Sequence, residues 1–471
     1  MTFGAACSPY IAQYVKETNA LEFRERYPRA VKAIIDNHYV DDFVDSFETS
    51  ARAIEISMHV REIHKSAGFE LRNFTSNSKE VVVALEGNLG RNVNFCDDLA
   101  DVQFCTEKIL GVYWHPGDDA FKFELKFHRV KPDIISGERC PTKRELLSVV
   151  MSVYNPLGLL SHFMVTAKLL LRDVWRYDIR WNEDIPNGLY DIWNNWRDEL
   201  NNVAKVSVPR HYFKSSLPEK VELHVFVDAS GDAFSAVSYW RSIKSDSEIE
   251  VTFITSKTKC APLKSMTIPR LELHAAVLGT RLLCTIEKEH SVKVSRRICW
   301  SDSSTVINWI NSDNRRYKPF VAHRITEILD STRPTDWKWL PTNLNVADET
   351  TRANRNIDFS FNSRWYQGPQ FLHQPEEDWP EMISISNDET PEEELRSKFV
   401  LTVSTNVVID FNRFSSFLRI KRTMGYVLRF IERYLKKKIG EGENCLTVAE
   451  LKDAETVLCR LSQRESFAFE L

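Results

Sequence analysis

Apolar and polar residues alternate along three consecutive stretches in the middle third of the chain. V-E-L-H-V-F-V-D, A-F-S-A-V-S-Y-W and I-E-V-T-F-I-T-S have a period of two, which predicts three strands joined as a meander. Pro269 then begins a helical pattern that reaches about Glu287, and R-R-I-C-W predicts a fourth strand. Two more helices and a strand at D-W-K-W-L-P complete the order βββαβααβ, which predicts a mixed five-stranded sheet with right-handed crossovers.

Four acidic residues adjoin these predicted elements: Asp228, Glu272, Asp302 and Asp348. Each has an ordinary alternative, since Asp228 suits a turn and Asp302 a helix N-cap. Glu272 suits a helix start, and Asp348 suits a loop. Together they predict one site for divalent cations, because four separate elements deliver carboxylates and hard cations take oxygen ligands.

The first 130 residues predict a helix from Ser8 to Lys32 with a break near Pro28. A-I-I-D-N-H-Y-V-D-D-F-V-D-S-F then predicts a β-hairpin whose turn presents Asp41 and Asp42. By composition alone, we interpret this acidic pair as turn chemistry rather than as a metal site.

A long, mostly helical connection follows, with a corner at Asn155-Pro156 and Gly158. Its apolar positions predict a buried helix pair that includes Trp175, and Trp181 is assigned to a second amphipathic helix together with Trp193 and Trp196. Lys143 and Arg144 suit a phosphate backbone, and a solvated helix face is an equal alternative.

The C-terminal part changes charge abruptly. Pro375 to Leu395 has nine acids and no Lys or Arg, which predicts a flexible linker. Asn412 to Lys438 has nine basic residues against Glu432, threaded with apolar residues, which predicts a pair of amphipathic helices. Arg422 and Arg429 are candidate nucleic-acid contacts there, with the solvated face of a helical bundle as the alternative.

Composition adds limits. The 471 residues allow roughly two to four domains. The net charge of −4 does not by itself predict nucleic-acid binding, although a local basic patch could still provide it. Nine cysteines without a C-x-x-C pair favour reduced thiols, and no apolar run reaches the roughly 18 residues that span a bilayer. We therefore expect an intracellular protein, cytoplasmic or nuclear, with no membrane partner.

Several strings resemble the Pao/BEL class of long-terminal-repeat retrotransposon polyproteins. Y-V-D-D resembles the metal-binding hairpin of reverse transcriptases, and F-G-A-A-C-S-P, G-F-E-L-R-N-F-T-S-N-S and I-L-G-V-Y-W are similar to neighbouring palm segments. The strings around the four carboxylates resemble the ribonuclease H segment, and the tail resembles the stretch before the integrase. This resemblance implies a multidomain α+β or α/β protein with five parts: a partial palm (1–130), a helical connection (131–218), a ribonuclease H-like domain (219–370), an acidic linker (371–400) and a basic helical segment (401–471).

The resemblance also implies a two-metal ribonuclease that cuts the RNA strand of an RNA–DNA hybrid. Asp228, Glu272, Asp302 and Asp348 would hold two Mg²⁺ or Mn²⁺ ions, and Arg270 and Ser303 beside them would contact the nucleic acid. V-A-D-E-T-T-R departs from the family's more usual Pro-Ala-Asp followed by Ser-Arg, and His323 stands where Asn is common. We interpret His323 as a helix-surface residue, with a proton shuttle as the alternative.

The polymerase part is expected to be inactive. Asp41 and Asp42 would be its metal ligands, but the earlier palm aspartate and the fingers would precede this sequence, and half a ligand set does not support nucleotidyl transfer. The missing portions of the polyprotein are candidate partners. The alternative for the whole chain is a catalytically silent relic or a repurposed nucleic-acid-binding protein.

Overall fold

The chain forms two compact units, Met1–Arg396 and Ser397–Leu471, in a computed structural model. The described residues are 6–40, 42–87, 106–128, 130–213, 218–244, 248–313, 316–353, 357–381, 394–395, 410–436 and 445–466. The helices of the first unit are α1 (Ser8–Leu21), α2 (Pro28–Asp36), α3 (Ser50–Ser66), α4 (Lys79–Gly87), α5 (Pro132–Ser136), α6 (Lys143–Ser152), α7 (Ser161–Arg176), α8 (Asn187–Asp198), α9 (Leu200–Val203), α10 (Ile268–Glu289), α11 (Ser304–Asn311), α12 (Pro319–Ser331) and α13 (Arg364–Gln367). Its strands are β1 (His38–Tyr39), β2 (Asp42–Phe43), β3 (Glu107–Ile109), β4 (Val112–His115), β5 (Ala120–Lys122), β6 (Ser207–Pro209), β7 (Lys220–Ala229), β8 (Ala233–Ile243), β9 (Ile249–Cys260), β10 (Arg296–Ser301) and β11 (Trp337–Trp339).

The N-terminal part packs α1, α2 and α3 around a small core, and β1 pairs with β2 as a short antiparallel hairpin. The prediction that A-I-I-D begins a strand is wrong, since these residues end α2. Pro28 begins this helix, and Ala30, Val31 and Ile34 bury one face of it at helical spacing. The hairpin is therefore shorter than the periodicity predicts.

The central sheet has the order β11-β10-β7-β8-β9. The meander β7–β8–β9 is antiparallel, whereas β10 runs parallel to β7 and β11 runs parallel to β10. The predicted order βββαβααβ is present, with α10 between β9 and β10 and the helices α11 and α12 before β11. A second, four-stranded antiparallel sheet has the order β3-β4-β5-β6.

Both faces of the central sheet are covered, which the alternating pattern of β7 does not predict. On one face, α10 approaches so closely that a Cβ at Gly279 would lie 2.4 Å from Cγ1 of Val227. On the other face, Phe226 of β7 packs in a core shared with the connection helices and with residues up to Trp379. The polar positions Glu222 and His224 therefore lie buried. Arg241 donates to Glu222 Oε2 at 2.7 Å, so the charge is paired.

The connection has the predicted helix corner between α6 and α7, with Leu169, Leu170 and Val174 buried. The expectation that Trp175 is buried is wrong, and Trp181 lies outside the helix that holds Trp193 and Trp196. The indole rings of Trp175 and Trp181 are exposed and form a surface cluster with Lys143, whose Nζ lies 4.4 Å from the Trp175 ring centroid.

The first residues of the predicted linker contact the central sheet of the first unit. Trp379 is buried against Trp300, and the Glu376 carboxylate pairs with Arg296 and Lys338. Phe371, Leu372 and Trp379 therefore anchor this segment to the first unit, while residues 374–378 stay exposed. Further along, Glu394 is also buried.

The second unit is a pair of helices, α14 (Phe417–Lys436) and α15 (Val448–Ser466). Ile420 and Met424 of α14 pack against Ala454 and Leu458 of α15. The predicted pair of helices within Asn412 to Lys438 is instead the single helix α14, preceded by a 3-10 turn at Phe411–Arg413. None of the helices in the described ranges is long and apolar enough to cross a membrane.

Candidate active site

Strand register places Asp228 and Asp302 side by side. Ser301 of β10 is the parallel partner of Val227 of β7, so the next residue of each strand is an aspartate. Asn345 reaches between them, and its Nδ2 donates to the Val227 carbonyl at 3.0 Å and to Asp302 Oδ1 at 3.2 Å. The site therefore lies where the carboxyl ends of two central strands meet.

Glu272 approaches this pair from α10. It lies just beyond the first turn, which has no acidic residue, so a favourable charge at the helix start does not explain it. Its Oε2 accepts a hydrogen bond from Ser303 Oγ at 2.6 Å. Ser303 is also the N-cap of α11, so the N-cap role considered for Asp302 belongs to its neighbour.

Asp348 comes from a 3-10 helix at Val346–Thr350, within the last loop. Three polar residues spaced by three positions, Asn345, Asp348 and Thr351, match the repeat of such a helix. Thr351 Oγ1 donates to Asp228 Oδ2 at 2.8 Å. Asp348 Oδ1 lies 3.3 Å from the guanidinium of Arg352.

The four carboxylates interact through their charges. The pKa of Asp228 is raised to about 7, chiefly by burial and also by repulsion from Asp302 and Asp348, although the hydrogen bond from Thr351 opposes the shift. Burial, with repulsion from Asp348, raises the pKa of Asp302. Burial, with repulsion from Asp302, likewise raises the pKa of Glu272. The site thus concentrates negative charge that its neighbours only partly balance.

Four carboxylates suit a hard divalent cation, and their mutual repulsion is what such a cation would relieve. In the part of the chain that the structure describes, however, no three acidic, histidine or cysteine side chains are gathered as a metal site. Ser303 and Thr351 hold Glu272 and Asp228 by hydrogen bonds instead. The carboxylate oxygens are ligands of the kind that magnesium and manganese prefer.

Arg270 lies two residues before Glu272 and is bound to a carboxylate. Its Nε and Nη2 donate to the two oxygens of Glu394 at 2.5 and 3.1 Å, and its guanidinium lies 4.7 Å from the Phe320 ring centroid. Glu394 is held in place by its own carbonyl, which accepts from Lys318 N at 2.8 Å. Arg270, which the sequence predicts to contact nucleic acid, is therefore ion-paired with Glu394 in this structure.

The other predicted contacts lie in separate settings. Lys143 and Arg144, in the first turn of α6, lie over Trp175 and Trp181. Arg422 is exposed on α14, whereas Arg429 is bound to Glu450. His323 is exposed on α12, which agrees with its interpretation as a helix-surface residue.

The predicted palm site is described only in part. Asp42 Oδ2 accepts from Leu110 N at 3.3 Å, so this carboxylate joins the hairpin to the turn between β3 and β4. Asp41 lies outside the described residues. The reverse transcriptase assignment of this part remains a prediction.

Asn345, Thr351 and Glu349 were not predicted as site residues. Burial raises the pKa of Glu349 to about 6, and repulsion from Asp348 contributes. All three lie in the string N-V-A-D-E-T-T-R. Residues three positions apart lie on the same side of a 3-10 helix, so the spacing of Asn345, Asp348 and Thr351 could have predicted that these side chains lie together.

Comparison with known proteins assigns the central part of the chain. Residues 142–303 match the family model described as Pao retrotransposon-like RNaseH-like domain. The resemblance to Pao elements is confirmed for this segment. The Pao-like segment contains Asp228, Glu272 and Asp302, and Asp348 follows it along the chain. The comparison with curated proteins found no match.

Two solved structures are similar to part of the chain. One is the N-terminal RNase H domain of a Mycobacterium tuberculosis protein, solved as a fusion with maltose-binding protein: 13% identity, a TM-score of 0.20, and coverage of 28% of this chain and 91% of that one. The other is RNase H1 from the halophilic archaeon Halobacterium salinarum: 13% identity, a TM-score of 0.18, and coverage of 28% and 96%.

Proposed function

We propose that the first unit is a ribonuclease H-type endonuclease that hydrolyses the RNA strand of an RNA–DNA hybrid. The observation that carries this proposal is the strand register that sets Asp228 and Asp302 side by side, with Glu272 of α10 and Asp348 of the last loop joined to the same region through Ser303, Asn345 and Thr351. The match of residues 142–303 to the Pao retrotransposon-like RNaseH-like domain supports the same reaction class.

The four carboxylates would hold two Mg²⁺ or Mn²⁺ ions. When bound, such ions supply a metal-activated water and stabilise the leaving 3′-oxygen. Asn345, Ser303 and Thr351 act as positioning residues, because each hydrogen-bonds one carboxylate and so fixes its orientation before the ions arrive. A hybrid would be recognised by its shape and its 2′-hydroxyl groups rather than by its sequence.

Arg270 would bind a phosphate of the hybrid beside Glu272. A guanidinium that holds both oxygens of a carboxylate has the geometry for a phosphate as well. The nucleic acid would therefore have to replace Glu394. Ser303, which donates to Glu272, would lie at the same edge, and Lys143 and Arg144 would contact the backbone from the connection.

We also propose that the N-terminal part is an inactive reverse transcriptase remnant, and that the chain derives from a retrotransposon polyprotein. The short hairpin β1–β2 and the use of the Asp42 carboxylate by Leu110 N support a structural role for that acid. Primer extension on a homopolymer template should give no product, and extension would overturn this part of the proposal.

The proposal is tested by incubating the full chain with four labelled substrates in Mg²⁺ or Mn²⁺. These are an RNA–DNA hybrid, duplex RNA, duplex DNA and single-stranded RNA. We expect cleavage of the RNA strand of the hybrid, with products bearing 3′-hydroxyl groups. Binding without cleavage of any substrate would favour the alternative, a silent nucleic-acid-binding relic.

A further inference from the structure

The helix α14 carries a stripe of basic and aromatic residues on one side. Arg419, Arg422, Tyr426, Phe430 and Arg433 follow one another at spacings of three or four residues, so they share a helix face. All five are exposed, with Phe430 at 70% and Tyr426 at 49% of full accessibility. The stripe covers about 21 Å along the axis, at ~1.5 Å per residue.

The packing of the second unit explains why this stripe faces outward. The opposite side of α14 carries Ile420 and Met424, which bury against Ala454 and Leu458 of α15. That small core therefore accounts for one helix face only. Exposed aromatic rings on the other face contribute nothing to it, although exposing them to water has a cost.

The charges of α14 also divide by face. On the flanks next to α15, Lys421 pairs with Glu455 and Arg429 pairs with Glu450. The three arginines of the stripe have no ion pair with any residue of 410–436 or 445–466 whose side chain the structure describes. The acids of α15 thus neutralise the inner cations, and the outward face keeps a net positive charge.

We propose that this face, formed by Arg419, Arg422, Arg433, Tyr426 and Phe430, binds single-stranded nucleic acid. Guanidinium groups along a line suit consecutive phosphates, and exposed rings between them offer surfaces on which unpaired bases stack. The bases of a duplex are already stacked on one another, so the aromatic residues favour a single strand. The proposal concerns the second unit alone and does not depend on nuclease activity in the first.

The test measures binding of the full chain to fluorescent oligouridylate and oligodeoxythymidylate by anisotropy, with EDTA present so that nothing is cleaved. Two double variants probe the two kinds of contact: Arg419→Gln with Arg422→Gln, and Tyr426→Leu with Phe430→Leu. The charge-matched control is Lys452→Gln with Arg460→Gln, which changes two exposed cations of α15. Anionic and neutral lipid vesicles are tested in parallel.

We expect the arginine variant to reduce the slope of log affinity against log salt by about 1.4, from ~0.7 per phosphate contact of a single strand. The aromatic variant should lower affinity by on the order of tenfold or more at constant salt. The control should change neither the salt slope nor the affinity. The preference between the two oligomers shows whether the face binds single-stranded RNA or single-stranded DNA more tightly. Equal losses in the control, unchanged binding in both variants, or binding to anionic vesicles without binding to oligomers would overturn the proposal.

Discussion

The side-chain amide of Asn345 offers a sharp test of how the candidate site is held together. Its Nδ2 donates to the Val227 carbonyl and to Asp302 Oδ1, while its Oδ1 accepts from Ala347 N at 3.2 Å. Asn345→Asp keeps the shape and the acceptor but replaces the two donations with a carboxylate oxygen. The side chain is 1% exposed, so water cannot compensate.

The expected cost has two parts. Two lost hydrogen bonds contribute about 2 kcal/mol, at roughly 1 kcal/mol each. Two carboxylates at the present 3.2 Å separation would repel by about 5 kcal/mol at an effective dielectric of ~20, and side-chain movement or proton uptake would reduce this. We therefore expect Asn345→Asp to lower the free energy of unfolding by about 3–5 kcal/mol.

The assay is urea unfolding of the full chain followed by tryptophan fluorescence. Residues 397–471 contain no tryptophan, so the signal reports the first unit. Adding Asp302→Asn to Asn345→Asp exchanges the amide and the carboxylate, and it should recover about 2–4 kcal/mol of the loss by removing the repulsion. A double variant no more stable than Asn345→Asp would refute the proposed contact between these two side chains.

Three further predictions concern the first unit. His162 is buried without a hydrogen-bonding partner among the described residues, and burial lowers its pKa to about 3 from 6.5. Below pH 6.5 the His162 side chain therefore binds a proton in the unfolded chain but not in the folded chain. The free energy of unfolding falls for this reason as the pH drops from 6.5 toward 3. His162→Leu should reduce that loss by about 2–3 kcal/mol at pH 4.5 in urea titrations, at ~1.4 kcal/mol per pH unit. Glu394→Gln should increase hybrid affinity in EDTA severalfold, because Arg270 loses its charged partner. Arg241→Met should lower the unfolding free energy by about 3–5 kcal/mol, because it removes the 2.7 Å partner of the buried Glu222 carboxylate and leaves Arg296, at 3.9 Å, as its remaining arginine partner.

Each of these has a matched control. For His162→Leu, the control is His323→Leu on the exposed side of α12, which should leave the pH dependence unchanged. For Glu394→Gln it is Glu376→Gln, since Glu376 pairs with Arg296 and Lys338 instead of Arg270. Equal affinity gains in both glutamate variants would show that general charge, rather than the Arg270 contact, controls binding.

For Arg241→Met the comparison is the double variant with Glu222→Gln. Removing both charges should restore part of the stability, because no unpaired charge then remains. The carbonyls of Leu372 and Gln374 still lose their donors, so recovery should be incomplete. A double variant less stable than Arg241→Met alone would contradict this explanation.

The strand order and the neighbouring positions of Asp228 and Asp302 were predictable because they depend on local periodicity and on where each strand ends. The burial of Glu222 and His224 was not, because a period of two shows that a strand has two faces but not that helices from another part of the chain cover both. Arg241 and Trp300 supply the partners that make this burial tolerable, with Trp300 Nε1 donating to His224 Nδ1 at 3.0 Å.

The residues that hydrogen-bond the carboxylates were missed for a related reason. Asn345 contacts Val227 and Asp302, which are 118 and 43 positions away in the chain, so no local pattern reveals the contact. The segment around Trp379 was mispredicted for a different reason. Its acidic composition predicts a flexible linker, whereas the Trp379 indole packs against Trp300 and anchors the segment to the first unit. Composition averages over a window, and a single buried aromatic residue can decide the conformation.

The most direct test of the nuclease assignment is the rate of hybrid cleavage by four single variants: Asp228→Asn, Glu272→Gln, Asp302→Asn and Asp348→Asn. Asp330→Asn, an exposed acid on α12, is the control. If the carboxylates act as one metal-holding site, Asp228→Asn, Glu272→Gln and Asp302→Asn should each reduce the rate about 100-fold or more in Mg²⁺, and Asp348→Asn should also reduce it. The control should cleave at the wild-type rate. Undiminished cleavage by Asp302→Asn would contradict the assignment.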